Sequence, residues 1–152
     1  TARRAGQGSA EVLAQLHKVP GCENLTWDDV QIASTIFAVK PGDGSAREQA
    51  ASCQRVLGAG ANIVTEYATK RYRSNLINWG MLPLQLVGAT PFGLGDYVFI
   101  PNVRAALQGD LQDIKAYVLG DTAKEFSLYM APLTADERKI LADGCLINFY
   151  KH

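Results

Sequence analysis

Pro41-Gly42-Asp43-Gly44-Ser45-Ala46-Arg47-Glu48 is a glycine-rich turn running into a helix start, and the segments on either side of it decide the fold class. Glycine tolerates backbone angles and close approaches that a Cβ forbids, and Ser45 with Glu48 three residues later has the S-x-x-E form of a capping box. Upstream, Val30 to Val39 is rich in β-branched residues and apolar on both faces, which predicts an interior strand covered on both sides. Downstream, a helix is expected from Ser45 to about Leu57, stopped by Gly58-Ala59-Gly60, and Ala61-Asn62-Ile63-Val64-Thr65 reads as a second short buried strand. Strand, glycine turn, helix, strand is a βαβ crossover with a parallel strand pair, right-handed by the general rule for such connections.

Around this unit, Ser9 is placed to cap a short helix over residues 10–18, with Val12, Leu13 and Leu16 at helical spacing, and Pro20-Gly21 ends it. Residues 68–79 form the next predicted helix, carrying Lys70, Arg71 and Arg73. Gly80 breaks it, and Pro83, with no N–H for a ladder, makes the following apolar segment an edge strand or extended loop. From Asp96 the pattern changes: residues 96–100, 114–119 and 125–130 are β-rich runs between Pro, Gly and Asp turns, predicting antiparallel or mixed strands. Thr134-Ala135-Asp136-Glu137 is a second capping box, opening a helix that stops at Gly144. The expected class is α/β, a parallel βαβ core with additional mixed or antiparallel strands. Residues 1–152 read as a single domain with residues 1–8 as a flexible arm, and a chain starting at Thr1 reads as a piece of a longer protein or a small subunit.

Fifteen Lys and Arg balance fifteen Asp and Glu, and 47% of the residues are hydrophobic. That composition excludes disorder of the whole chain and the strong global field of nucleic-acid or acidic-membrane binders. The longest apolar runs, Ile32 to Val39 and Met81 to Val87, fall far short of the roughly 18–20 residues a membrane-spanning helix needs, so no membrane partner is expected. Cys22, Cys53 and Cys145 lie far apart without a CxxC or Cys/His cluster, which predicts idle thiols in a reducing, cytoplasmic setting and no metal site made by this chain alone. GxGxxG and the P-loop pattern are both absent. Lys70, Arg71 and Arg73, with Tyr67, Tyr72 and Trp79 nearby, could meet RNA by phosphate contact and stacking, although such a run at helical spacing is more often a solvated face.

Chemistry is expected at Gly42 to Arg47. Free N–H groups and the positive end of a helix dipole favour a carboxylate or phosphate there, and Arg47 could add a fork of donors matched to a planar carboxylate. Ser45, at the tip, could serve as nucleophile or base, its alkoxide stabilised by the same groups. The plain alternative is that Ser45 is a helix cap worth about 1 kcal/mol and nothing more.

Gly44-Ser45-Ala46-Arg47-Glu48-Gln49-Ala50, then Leu57-Gly58, then Arg73-Ser74-Asn75-Leu76, then Gly80-Met81-Leu82-Pro83-Leu84 resemble, in order and spacing, the C-terminal swivelling domain of the aconitase superfamily. That family has a G-S-S-R-E-H-A segment, a leucine-glycine helix stop, an R-x-N-L helix and a G-hydrophobic-L-P-L run. Leu133 to Tyr150 is similar to a bacterial aconitase-like hydratase subfamily. The resemblance implies a lyase domain, inactive alone, that closes like a lid over a four-iron four-sulfur (4Fe-4S) cluster held by other domains or a large subunit. Water would be removed from and returned to a hydroxy-polycarboxylic acid. It implies that Ser45 takes the proton beside a substrate carboxylate, that Arg47 holds a carboxylate, and that Gly44 and Ala46 line the substrate; RNA binding by a non-catalytic relative is the alternative. Ala46 stands where the family has a second serine, Gln49 replaces a histidine, and Thr69-Lys70-Arg71-Tyr72 departs from A-R-I-H, which leaves the substrate and retention of activity open.

Overall fold

The computed structural model of the chain describes residues 10–151; the arm expected at residues 1–8 and the Ser9 cap lie outside them. The chain divides into two compact units. One joins Ala33–Val87, Asn102–Ile114 and residues 128–151; the other joins residues 10–32, Gly88–Pro101 and Lys115–Ser127. The elements run α1 (Ala10–Leu16), β1 (Ser34–Ala38), α2 (Arg47–Val56), β2 (Ala59–Val64), α3 (Lys70–Asn78), β3 (Leu82–Leu86), β4 (Tyr97–Phe99), α4 (Val103–Gln108), β5 (Ile114–Leu119), β6 (Lys124–Tyr129), α5 (Ala135–Asp143) and α6 (Leu146–Phe149). Six strands follow the order β1-β2-β3-β6-β5-β4, a mixed α/β architecture as the sequence pattern predicts.

In the first unit the βαβ crossover is present: β1 pairs with β2 in parallel, Ile36 opposite Asn62 and Phe37 opposite Ile63. A second crossover through α3 brings β3 alongside β2, again parallel, with Ile63 opposite Leu84. β6 meets β3 antiparallel at Gln85↔Tyr129 and Leu86↔Leu128. Ala51 of α2, Ala59 of β2, Tyr72 and Leu76 of α3 and Met81 form a buried cluster, with Tyr67 and Trp79 packed against it. The Thr134 capping box forms as read: the Thr134 hydroxyl accepts from Glu137 N at 3.2 Å while the Glu137 carboxylate accepts from Thr134 N at 2.8 Å. α5 ends at Gly144, in the left-handed region at φ +90. Gly144 O lies 1.6 Å from where a Cβ on Gly80 would sit, so this helix end can approach α3 only because residue 80 has no side chain.

The second unit is smaller. β4 and β5 pair antiparallel, Tyr97 opposite Leu119 and Phe99 opposite Tyr117. Leu16 and Val19 from α1 and the turn after it pack with Cys22 and Leu119. Lys18 ties the same region to the β5–β6 turn, its Nζ donating to Asp121 O at 2.8 Å.

Three expectations are corrected. The first strand begins at Ser34, not Val30, and is an edge strand, with Ile36 36% and Phe37 40% exposed. An apolar two-faced run reports strand propensity, whereas the crossovers decide which strand is central. Here β2 takes that place, burying Ala61 to Val64. Pro83 lies in an interior strand, opposite Asn62 and buried. Its missing N–H is tolerated because β6 reaches β3 only at Gln85 and Leu86, beyond the proline. Finally, α2 starts at Arg47 with Ala46 as its N-cap, so the Ser45 capping box does not form. The short helices α4 and α6 carry no side-chain cap and had no signal in the pattern.

Candidate functional site at the glycine turn

The turn entering α2 is held from below by α3. Gly42 sits at φ +99, and a Cβ there would lie 2.6 Å from Tyr72 Cβ and 2.7 Å from its ring, so both the angle and the space demand glycine. Its carbonyl accepts from Arg47 Nε at 3.1 Å and from Thr69 Oγ1 at 3.2 Å. Pro41 O accepts from Ala68 N at 3.0 Å. Thr69 is also the N-cap of α3, its hydroxyl accepting from Tyr72 N at 3.2 Å. The Tyr72 hydroxyl, deep in the unit, accepts from Gln54 Nε2 of α2 at 3.0 Å and from Asn62 Nδ2 of β2 at 3.1 Å. The turn thus rests on a tyrosine fixed to its neighbouring helix and strand.

Gly44, Ser45 and Ala46 are exposed, and the space beside Gly44 is open. Arg47 is half-buried next to them. Its Nε is committed to Gly42, and its two terminal nitrogens have no partner among the described residues, which leaves the fork free for a carboxylate. Glu48, read from sequence as the partner of Ser45, turns the other way: its Oε1 accepts from Trp79 Nε1 at 2.7 Å. Asn75, with its amide oriented to pair donor with acceptor, donates to Glu48 Oε2 at 3.0 Å and accepts from Glu48 N at 3.1 Å. An exposed hydroxyl, a free guanidinium fork and a helix N-terminus therefore stand within four successive residues, an arrangement suited to a small carboxylic acid.

The other candidates disperse. Arg73 belongs to the fold, its Nη2 donating to Ala131 O at 2.8 Å and Pro132 O at 3.0 Å. Lys70 and Arg71 are exposed, but Tyr72 is buried, and Tyr67 is buried enough that desolvation pushes its phenol well above the ordinary range. Of the aromatics named beside them, Tyr72 is fully buried, while Tyr67 and Trp79 are partly buried against the core. His17 Nε2 donates to Leu25 O at 2.7 Å, a bond within the fold. Among the described residues no three His, Cys, Asp or Glu side chains gather to hold a metal, and no helix is long and apolar enough to cross a membrane. Cys22 is buried before β1, Cys53 is exposed on α2 and Cys145 precedes α6, so these thiols do not fit the ligand set of an iron–sulfur cluster. Thr69, Asn75 and Trp79 were missed as supporting residues. Thr69 before a helical run carried a cap signal, whereas the partners of Asn75 and Trp79 lie on another helix.

The model of the aconitase C-terminal domain family matches residues 17–88, just under half of the chain. A comparison with curated proteins found no match. Among solved structures, the chain is similar to the crystal structure of 3-isopropylmalate dehydratase from Methanocaldococcus jannaschii at 25% identity and a TM-score of 0.47. The likeness covers 82% of this chain and 66% of that one, slightly under two thirds of its length. The matched segment holds the glycine turn, Arg47, the Arg73-to-Leu76 helix and the Gly80-to-Leu84 run together. Over residues 17–88, and on these motifs, the chain is similar to the aconitase C-terminal domain family.

Proposed function

We propose that this chain is the swivelling domain of an aconitase-like hydro-lyase, in which Ser45 and Arg47 act on a small hydroxy-polycarboxylic acid. The observation that supports the reading is the family match over residues 17–88, a span that includes the turn just described. Arg47, anchored through Nε to Gly42 O, keeps two terminal nitrogens for a bidentate grip on a substrate carboxylate. Ser45, exposed and not used as a cap, takes the proton from the carbon beside that carboxylate and returns it in the reverse reaction. Gly44 admits the substrate close to the backbone, and Ala46 lines it without a hydrogen bond of its own. No group on this chain is assigned to the departing hydroxyl. That task, with the 4Fe-4S cluster, belongs to other domains or a large subunit over which this domain closes, and three free thiols suit a cytoplasmic setting.

The test is turnover in the complete, cluster-loaded protein. Because Ser45 caps nothing, Ser45→Ala and Ser45→Asn should each lower kcat by about a hundredfold to ten-thousandfold, the usual worth of a positioned base, while the unfolding midpoint stays within about 1 °C. Arg47→Lys should chiefly raise KM, since an ammonium keeps the charge and loses the fork. Turnover of both Ser45 variants within about tenfold of the parent, a barrier change near 1.4 kcal/mol, would remove Ser45 from the chemistry.

A further inference from the structure

We infer that Asn75, from α3, is a positioning residue for Ser45: it caps α2 from the side and so leaves the Ser45 hydroxyl unengaged. The first N–H groups of a helix lack intrahelical acceptors, and a side chain at or next to the N-cap normally supplies one. The N-cap of α2 is Ala46, which has no acceptor, and Ser45 and Glu48 offer a capping box that the structure does not use. The acceptor comes instead from another helix, Asn75 Oδ1 receiving Glu48 N at 3.1 Å. The other half of the amide holds Glu48 Oε2 at 3.0 Å, and Trp79 Nε1, one turn further along α3, holds Oε1 at 2.7 Å. Glu48 is thereby drawn toward α3 at its backbone and at both carboxylate oxygens, away from Ser45.

The consequence is chemical. In a capping box the serine oxygen accepts an amide hydrogen, which ties up a lone pair and turns the hydroxyl inward. A base needs that lone pair directed at substrate. Moving the cap to Asn75 keeps the helix start ordered without using the one hydroxyl at its tip. On its catalytic side the inference rests on the proposed role of Ser45; the cap itself does not.

Hydrogen exchange of peptides spanning the start of α2, measured with kcat and KM in the complete protein, tests both parts. Asn75→Ala should speed exchange at the first turn by on the order of tenfold and lower kcat more than it changes KM, because Arg47 is still in place. Ser45→Ala should leave exchange unchanged in the parent. In the Asn75→Ala background it should speed exchange further, since the freed Ser45 hydroxyl then takes over the cap. Asn75→Asp, which sets a carboxylate against Glu48, should behave like Asn75→Ala. The pair Asn75→Asp with Glu48→Gln restores one acceptor and one donor in the same places and should recover protection and kcat together. Unchanged exchange in Asn75→Ala, or faster exchange in Ser45→Ala alone, would overturn the lateral cap. Exchange as expected, with kcat untouched in the Asn75 and Ser45 variants, would keep the cap but overturn the positioning role together with the reading of Ser45 as a base.

Discussion

Gly42→Ala and Gly58→Ala form an internally controlled pair for the turn that carries the site. Both glycines have nearly the same backbone angle, φ +99 and φ +96, so an alanine at either bears a similar left-handed strain of about 1–2 kcal/mol. They differ in what a Cβ meets. At Gly58 there is nothing within 4 Å, whereas at Gly42 it falls 2.6 Å from Tyr72 Cβ and 2.7 Å from Cγ and Cδ1. Carbon atoms prefer about 3.5–4.0 Å, so turn and helix must separate by about 1 Å. Tyr72 cannot yield easily: its hydroxyl is held by Gln54 and Asn62, and its Cβ belongs to the helix frame. Overpacking of this kind costs about 1–3 kcal/mol beyond the strain. Gly42→Ala should therefore lose about 2–5 kcal/mol in all, against about 1–2 kcal/mol for Gly58→Ala. At about 2–4 °C per kcal/mol for a chain of this size, thermal melts should separate the two variants by about 2–12 °C. Since Gly42 O also receives Arg47 and Thr69, Gly42→Ala should raise KM as well, and Gly58→Ala should not. Equal melting losses for the two variants would refute the close packing of the turn on Tyr72.

Two further outcomes follow from local geometry. Thr134→Ala removes the side-chain half of the one capping box that forms among the described residues, and chemical denaturation should show a loss of about 1 kcal/mol, with Thr134→Ser close to the parent. Thiol labelling of the native protein should modify exposed Cys53 first, Cys145 more slowly and Cys22 last; Cys22 is buried, and burial, with Glu23 nearby, pushes its thiol up so that less thiolate is present at neutral pH. All three should react alike once the chain is unfolded.

The conformation of the turn was legible from local pattern because its causes are local. Two glycines, a serine and an arginine in one short segment announce close backbone approach and an anion-suited helix start, and Gly42 has the positive φ that such a turn requires. The same holds for the Thr134 box and the Gly144 stop, where side chain and backbone partners lie within one helical turn. The parallel βαβ unit followed from the alternation of strand and helix signals, which limits the connection to a crossover.

What lay beyond the sequence depended on partners far along the chain. Apolar residues on both faces could not tell the edge strand β1 from the central β2, because strand order is set by where successive crossovers dock. Pro83 looked forbidden to an interior strand, and only the short reach of β6 along β3 shows why it is allowed. Ser45-x-x-Glu48 satisfied a local rule that the fold then set aside: α3 brings Asn75 and Trp79 to Glu48, and three hydrogen bonds across helices outcompete the two that a capping box would make within the turn. Local propensity offers a default partner to each polar group, and tertiary packing replaces that default wherever it brings a better-placed donor or acceptor close enough to bond.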